Sequence, residues 1–110
     1  MTATERAYEL LAEELTGLGV QKSVMFGMPT LKLGRKAVCG LRDDGVVFRL
    51  PVQSEEMQQA LSLKGSHLFQ PEMHGRKGPL MKQWVVVPPK HSDHYADFAM
   101  CSIRFVESGV

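Results

Sequence analysis

A chain of 110 residues with 44% hydrophobic and 23% charged side chains has enough material for one domain with a single two-layer core, residues 1–110, and no room for a second. That balance excludes a disordered, collagen-like or coiled-coil chain, and a net charge of +1 lacks the basic excess of a dedicated nucleic-acid domain. No apolar run approaches a membrane span, and acids interrupt the N-terminal stretch "MTATERAYELLAEELTG", so neither an anchor nor a signal peptide is expected.

The first element reads as a helix to Thr16. Thr2 with Glu5 three residues on forms a capping box, and Ala7, Leu11, Leu15 and Leu18 recur at helical spacing, with Leu10 widening the stripe. Gly17 and Gly19 stop it. From Val20 the period becomes two. Val24 and Phe26 lead into Leu31 and Leu33 as one interrupted strand, with Gly27 easing the backbone and Pro29 placed at a strand boundary or edge. "LGRK" puts Gly34 first in a two-residue hairpin turn, after which Ala37, Cys39 and Leu41 share a face. "RDDG" is the next turn, with Gly45 assigned the left-handed position, and Val46, Phe48 and Leu50 form a third strand.

Pro51 ends that strand, and Ser54 caps a short helix to about Leu63 with Met57, Ala60 and Leu61 inward. Residues 66–81 read as an irregular connection in which Phe69 marks a short strand. "KQWVVVP" is a strand ended by Pro88 and Pro89, and Ser92 caps a last helix whose Phe98, Ala99, Cys101, Ser102, Phe105 and Val106 share a broad face. The order α-β-β-β-α-β(-β)-α predicts an α+β two-layer sandwich, an antiparallel sheet of four to five strands with helices packed on it.

Chemistry is sparse. His91 and His94 beside Asp93 and Asp97 have partial metal-ligand spacing, but an acid-rich first helical turn explains them and no further ligands are specified. His67 and His74 read as solvated loop histidines. Cys39 and Cys101 belong to no C-x-x-C motif and sit among apolar residues, which predicts reduced core thiols and a cytoplasmic location. "HGRKGPLMK" is no phosphate loop, because it enters a strand where a P-loop enters a helix. Trp84 is open between stacking on a ligand and packing in the sheet.

Charge is segregated. Residues 1–21 hold Arg6 against Glu5, Glu9, Glu13 and Glu14, whereas residues 22–50 hold six bases against Asp43 and Asp44. Lys32, Arg35 and Lys36 at the hairpin would join Arg76, Lys77 and Lys82 of the later loop as an anion or nucleic-acid contact if the two lie side by side. Otherwise they are solubilising and edge-protecting charges, which the near-neutral total favours.

"MFGMPTLKLGRKAVCGL", then "DGVVFRLP", "LFQP", "GPLMKQWVVVP" and a closing amphipathic helix together resemble the N-terminal domain of the TfoX/Sxy competence-regulator family, including its stand-alone members. The resemblance implies the two-layer sandwich shared with YjbR-like and secretion-chaperone-like domains, makes Gly27 and Gly34 turn or bulge positions, and brings no catalytic residues. Met28-Pro29 stand where many of those regulators have a further glycine, and their second, helix-hairpin-helix-like domain is not in these 110 residues, so a role in DNA uptake is not expected.

The leading expectation is therefore a small cytoplasmic, non-enzymatic module, regulatory or protein-binding, that meets an unknown protein partner through its sheet surface or basic loop. Nucleic-acid or phosphate binding is the second expectation and an enzyme the third. No cofactor, metal or membrane is implied, and pairing into a homodimer is left open.

Overall fold

The computed structural model describes residues 1–73 and 75–109, so the expectation for His74 lies outside the described residues. Helix α1 (Ala3–Thr16) opens with the expected capping box: the Glu5 amide donates to Thr2 Oγ1 and the Thr2 amide to Glu5 Oε1, each at 3.0 Å. Its buried face is Thr4, Tyr8, Leu11, Ala12 and Leu15, rotated from the expected stripe, because Tyr8 is a larger apolar payload than Leu10 or Leu18, both of which are exposed.

Strands β1 (Val20–Met25), β2 (Met28–Leu33), β3 (Lys36–Arg42) and β4 (Gly45–Arg49) form an antiparallel meander, followed by α2 (Glu55–Ser62), β5 (His67–Phe69), the small hairpin β6 (Glu72–Met73) and β7 (Arg76–Lys77), β8 (Met81–Val87), a 3-10 turn (Pro89–His94) and α3 (Tyr95–Glu107). The α+β class and element order agree with the sequence. The main sheet has six strands in the order β1-β2-β3-β4-β8-β5, more than the four to five expected. The reason is local: Phe26 and Gly27 both adopt positive φ (54° and 75°), a two-residue turn that folds the expected first strand into a hairpin pairing Met25 with Met28. Gly34 (φ 64°) turns β2 into β3 as anticipated.

Three further details correct the sequence reading. Val38 is the extra residue of a bulge opposite Leu31 and Lys32, so Ala37 and Cys39 fall in different apolar clusters despite their spacing of two. Gly45 has no positive φ; a Cβ there would collide with the Val87 carbonyl, so the residue is small because β4 and β8 approach closely. Ser92 lies inside the 3-10 turn and does not cap α3, whose N-cap is His94, while Leu61 is exposed on α2. Pro29 pairs with Val24 but stays just outside the ladder to β3, which begins at Thr30, so its missing N–H is not called upon.

The three helices bury one face of the sheet in a core that includes Tyr8, Leu31, Phe48, Val85, Val87 and Phe98, with Phe48 in ring contact with Tyr95 (5.2 Å) and Phe98 (5.7 Å). The Tyr95 hydroxyl donates to the Val87 carbonyl at 2.6 Å, pinning α3 to the end of β8. On the other face a smaller cluster of Met28, Ala37, Val47, Phe69, Trp84 and Val86 is also buried. Trp84, 6% exposed, is thus a packing residue, with the Arg49 guanidinium 5.8 Å from its ring centre. Among the described residues no helix is long and apolar enough to cross a membrane.

Replacing Gly45 with Ala should cost about 1–3 kcal/mol by overpacking, and Gly45→Asn should be no milder, whereas a left-handed site would favour Asn. Urea denaturation of both variants distinguishes the two origins.

Burial raises the pKa of Tyr8, Tyr95, Cys39 and Cys101 above the ordinary values. The folded chain holds these protons more tightly than the unfolded one, so their contribution is complete below about pH 8.5, where unfolded cysteine begins to ionise, and declines as pH rises through about 10, where unfolded tyrosine follows. Urea midpoints measured from neutrality to about pH 11 should fall continuously over that window.

Candidate functional site

The second face of the sheet carries the candidate site. In a flat sheet β2 and β5, four strand intervals apart, would be separated by about 19 Å. Instead the Phe26 ring at the β1–β2 turn lies 6.1 Å from that of Phe69 in β5, and Met28 packs in one cluster with Phe69 and Trp84. The sheet is therefore concave on this side, and its first hairpin reaches toward its last strand. Between them lies a cleft of about 680 Å³ bounded by Phe26, Met28, Arg42, His67, Phe69, Lys77 and Leu80, among others.

Each wall has a structural cause. Phe26 occupies a left-handed position that costs a bulky residue about 1–2 kcal/mol, and its ring is nevertheless 48% exposed over the cleft. Backbone strain of this kind concentrates at functional positions. Arg42, the last residue of β3, places its guanidinium 5.3 Å from the Phe69 ring centre and gives only its Nε to Asp44, at 3.5 Å. Its two terminal amino groups make no hydrogen bond among the described residues, which leaves a planar fork for a carboxylate, a phosphate or a peptide carbonyl.

Asp44 also meets His67 Nε2 at 2.8 Å, joining the β3–β4 turn to β5 across the intervening β8. His67 Nδ1 faces the Leu68 carbonyl at 3.0 Å. Both partners accept only, so the two bonds exist together when both ring nitrogens carry a proton. The third wall is the β6–β7 segment, held by Gly78 N–H to the Pro71 carbonyl (2.7 Å) and by Gln70 Nε2 to the Gly78 carbonyl (2.8 Å). It presents Lys77 and Glu72, with the half-exposed Leu80 following.

The six basic residues singled out by sequence do not all share this site. Lys77 lines the cleft with Arg42. Lys36 opens β3 and Arg35 precedes it in the turn, at the opposite end from Arg42 and about 20 Å along the strand from it. Lys32, in β2, is half-buried; Arg76 and Lys82 are exposed on β7 and β8. The other candidates have packing roles. His91 Nε2 bonds the Lys64 carbonyl at 2.9 Å, His94 stacks on Phe98 at 5.8 Å, and among the described residues no three His, Cys, Asp or Glu side chains converge on a metal position. Cys39 and Cys101 are free and buried, and burial raises both thiols, with the Glu56 charge adding to the effect at Cys101.

Sequence reasoning missed Phe26, Arg42, His67 and Leu80 as cleft residues, and Asp44 as the partner of His67. The available signal was an aromatic residue immediately before a turn glycine, where asparagine or aspartate is the usual choice. No family model matches the chain, and neither a curated protein nor a solved structure does.

The two touching rings should separate in their thermodynamics. Phe26→Asn relieves the left-handed strain while losing a half-exposed contact, so it should change stability by no more than about 1 kcal/mol. Phe69→Ala empties a buried position and should cost about 3–5 kcal/mol. Paired urea titrations test this, and a Phe26→Asn loss as large as that of Phe69→Ala would make the first ring an ordinary core residue.

Proposed function

We propose that this chain is a small non-enzymatic binding module, regulatory or protein-interacting, of the kind its resemblance to the TfoX/Sxy N-terminal domain implies, and that it meets its partner through the concave face of the sheet. The observation that carries the reading is the cleft itself: exposed Phe26 and Leu80 stand beside Arg42, His67 and Lys77, and the aromatic ring is held there against a backbone cost. A large apolar anchor ringed by polar groups is the composition of a protein-binding hot spot. Four segments far apart in sequence converge on it, which suits recognition of an extended, mixed peptide surface.

The chemistry at hand also favours binding over turnover. Both thiols are shut in the core, where burial raises their pKa and keeps them protonated, and the polar groups that reach the cleft are Arg, His, Lys, Glu and Gln, all able to orient a partner by hydrogen bonds or charge. Cytoplasmic residence fits two unpaired buried thiols. Nucleic-acid binding by the Lys32, Arg35 and Lys36 hairpin draws less support, since its cations lie at the far end of β3 from the cleft pair Arg42 and Lys77.

Selection of displayed random peptides on the wild-type chain, followed by affinity measurements on variants, tests the reading. Selected peptides should bind Phe26→Ala and Lys77→Glu at least about tenfold more weakly and should bind the Arg35→Ala/Lys36→Ala variant unchanged. Peptide binding indifferent to both cleft changes would refute the site. Salt-sensitive oligonucleotide binding lost with the hairpin pair would move the function to that end of the sheet.

A further inference from the structure

A second surface, independent of the concave face, lies on α1. Its solvent side carries Leu10, 55% exposed, flanked by Arg6 four residues before and Glu14 four residues after. All three border a groove of about 580 Å³ between α1 and the segment leading into α3, floored by small side chains such as Ala3, Ala7 and Ala96. Neither Arg6 nor Glu14 enters an ion pair among the described residues, although Glu9 on the same helix pairs with Lys22 at 2.7 Å.

Glu5 in the first turn complements the macrodipole of α1, but the remaining charges at its two ends run against it. Arg6 lies near the positive N-terminal end, while Glu13 and Glu14 fall in the last turn, which holds no basic residue. An isolated helix gains nothing from that arrangement. A second α1 laid antiparallel across the first does supply the missing partners, because its positive end then lies beside Glu13 and Glu14, and its acidic end beside Arg6.

The spacing fits one particular pairing. With a two-fold axis through Leu10, residue 6 of one copy faces residue 14 of the other, and the reverse, since both charges lie about 6 Å along the axis from Leu10. Leu10 then packs on Leu10 of the second copy, over grooves whose alanines permit close approach. This is the self-complementarity that a closed two-fold interface requires.

We infer that the chain forms an antiparallel homodimer through α1, centred on Leu10 and oriented by two reciprocal Arg6–Glu14 ion pairs. The occupant of the α1 groove is a second copy of this chain. The ion pairs fix direction and register, while Leu10 and the alanines provide the apolar contact.

Sedimentation velocity over a concentration series, from low micromolar to millimolar, tests the inference on the full chain. The wild type should shift from 12.3 kDa toward twice that mass. Arg6→Glu and Glu14→Arg, both at exposed positions, should each weaken self-association about tenfold or more by opposing like charges. An equimolar mixture of the two variants restores both opposite-sign contacts, so it should associate with roughly the wild-type affinity. The doubly exchanged chain should do likewise.

Circular dichroism checks that each variant is folded, and mixing is a readout that a mere loss of stability would not produce. A wild type that stays monomeric at the highest concentration overturns the inference. So does a dimer unmoved by both single changes, or a mixture that fails to re-associate.

Discussion

The arrangement of this molecule follows from the double burial of two neighbouring interior strands, β4 and β8. Val46, Val47 and Phe48 of β4, and Val85, Val86 and Val87 of β8, are all fully buried, so along these residues neither strand has a solvent face, whereas Lys82 at the start of β8 is exposed. An antiparallel sheet commonly keeps one side wet. Here the helices cover one side and the curl of the sheet closes over the other. Polar groups are therefore excluded from the centre of the sheet and collect where strands end, at Arg42, Asp44, His67 and Lys77. The close approach of β4 and β8 at Gly45, and the Tyr95 hydroxyl on the Val87 carbonyl, hold the same pair at one end, around Val87.

This constraint was visible in the residues. The "WVVV" of "KQWVVVP" lacks alternation because both of its faces are dry, and the α+β order followed from switches between periods of two and 3.6 punctuated by Gly and Pro. The departures have physical causes that no local pattern displays. Phe26 stands where a two-residue turn usually has asparagine or aspartate, so the first hairpin was hidden inside one strand. The bulge at Val38 reverses alternation without changing composition. Gly45 looked like a turn residue because it follows two aspartates, yet its smallness answers to Val87, forty-two residues away.

The cleft was illegible for a related reason. Phe26, Arg42, His67 and Lys77 come from four separate elements, and only the curl of the sheet brings them together. The basic residues show the converse. Arg35 and Lys36 lie the length of β3 away from Arg42, so the cations that stand out in the sequence and the one that reaches the cleft from β3 occupy opposite ends of that strand. What binding asks of a surface is convergence in space, and here the aromatic turn achieves it better than the conspicuous lysines do.

The Asp44–His67–Leu68 contacts have one more effect, on the border of the sheet. β5 is the last strand of the order, only three residues long, and the Leu68 carbonyl is already taken by the His67 ring. At the opposite border, β1 carries Lys22 tied to Glu9 of α1. An open sheet presents two unpaired strands on which other chains can grow, and short or charged borders discourage that growth. With one border abbreviated and self-satisfied and the other charged, the chain keeps a curled sheet that never closes into a barrel without offering a template for fibres.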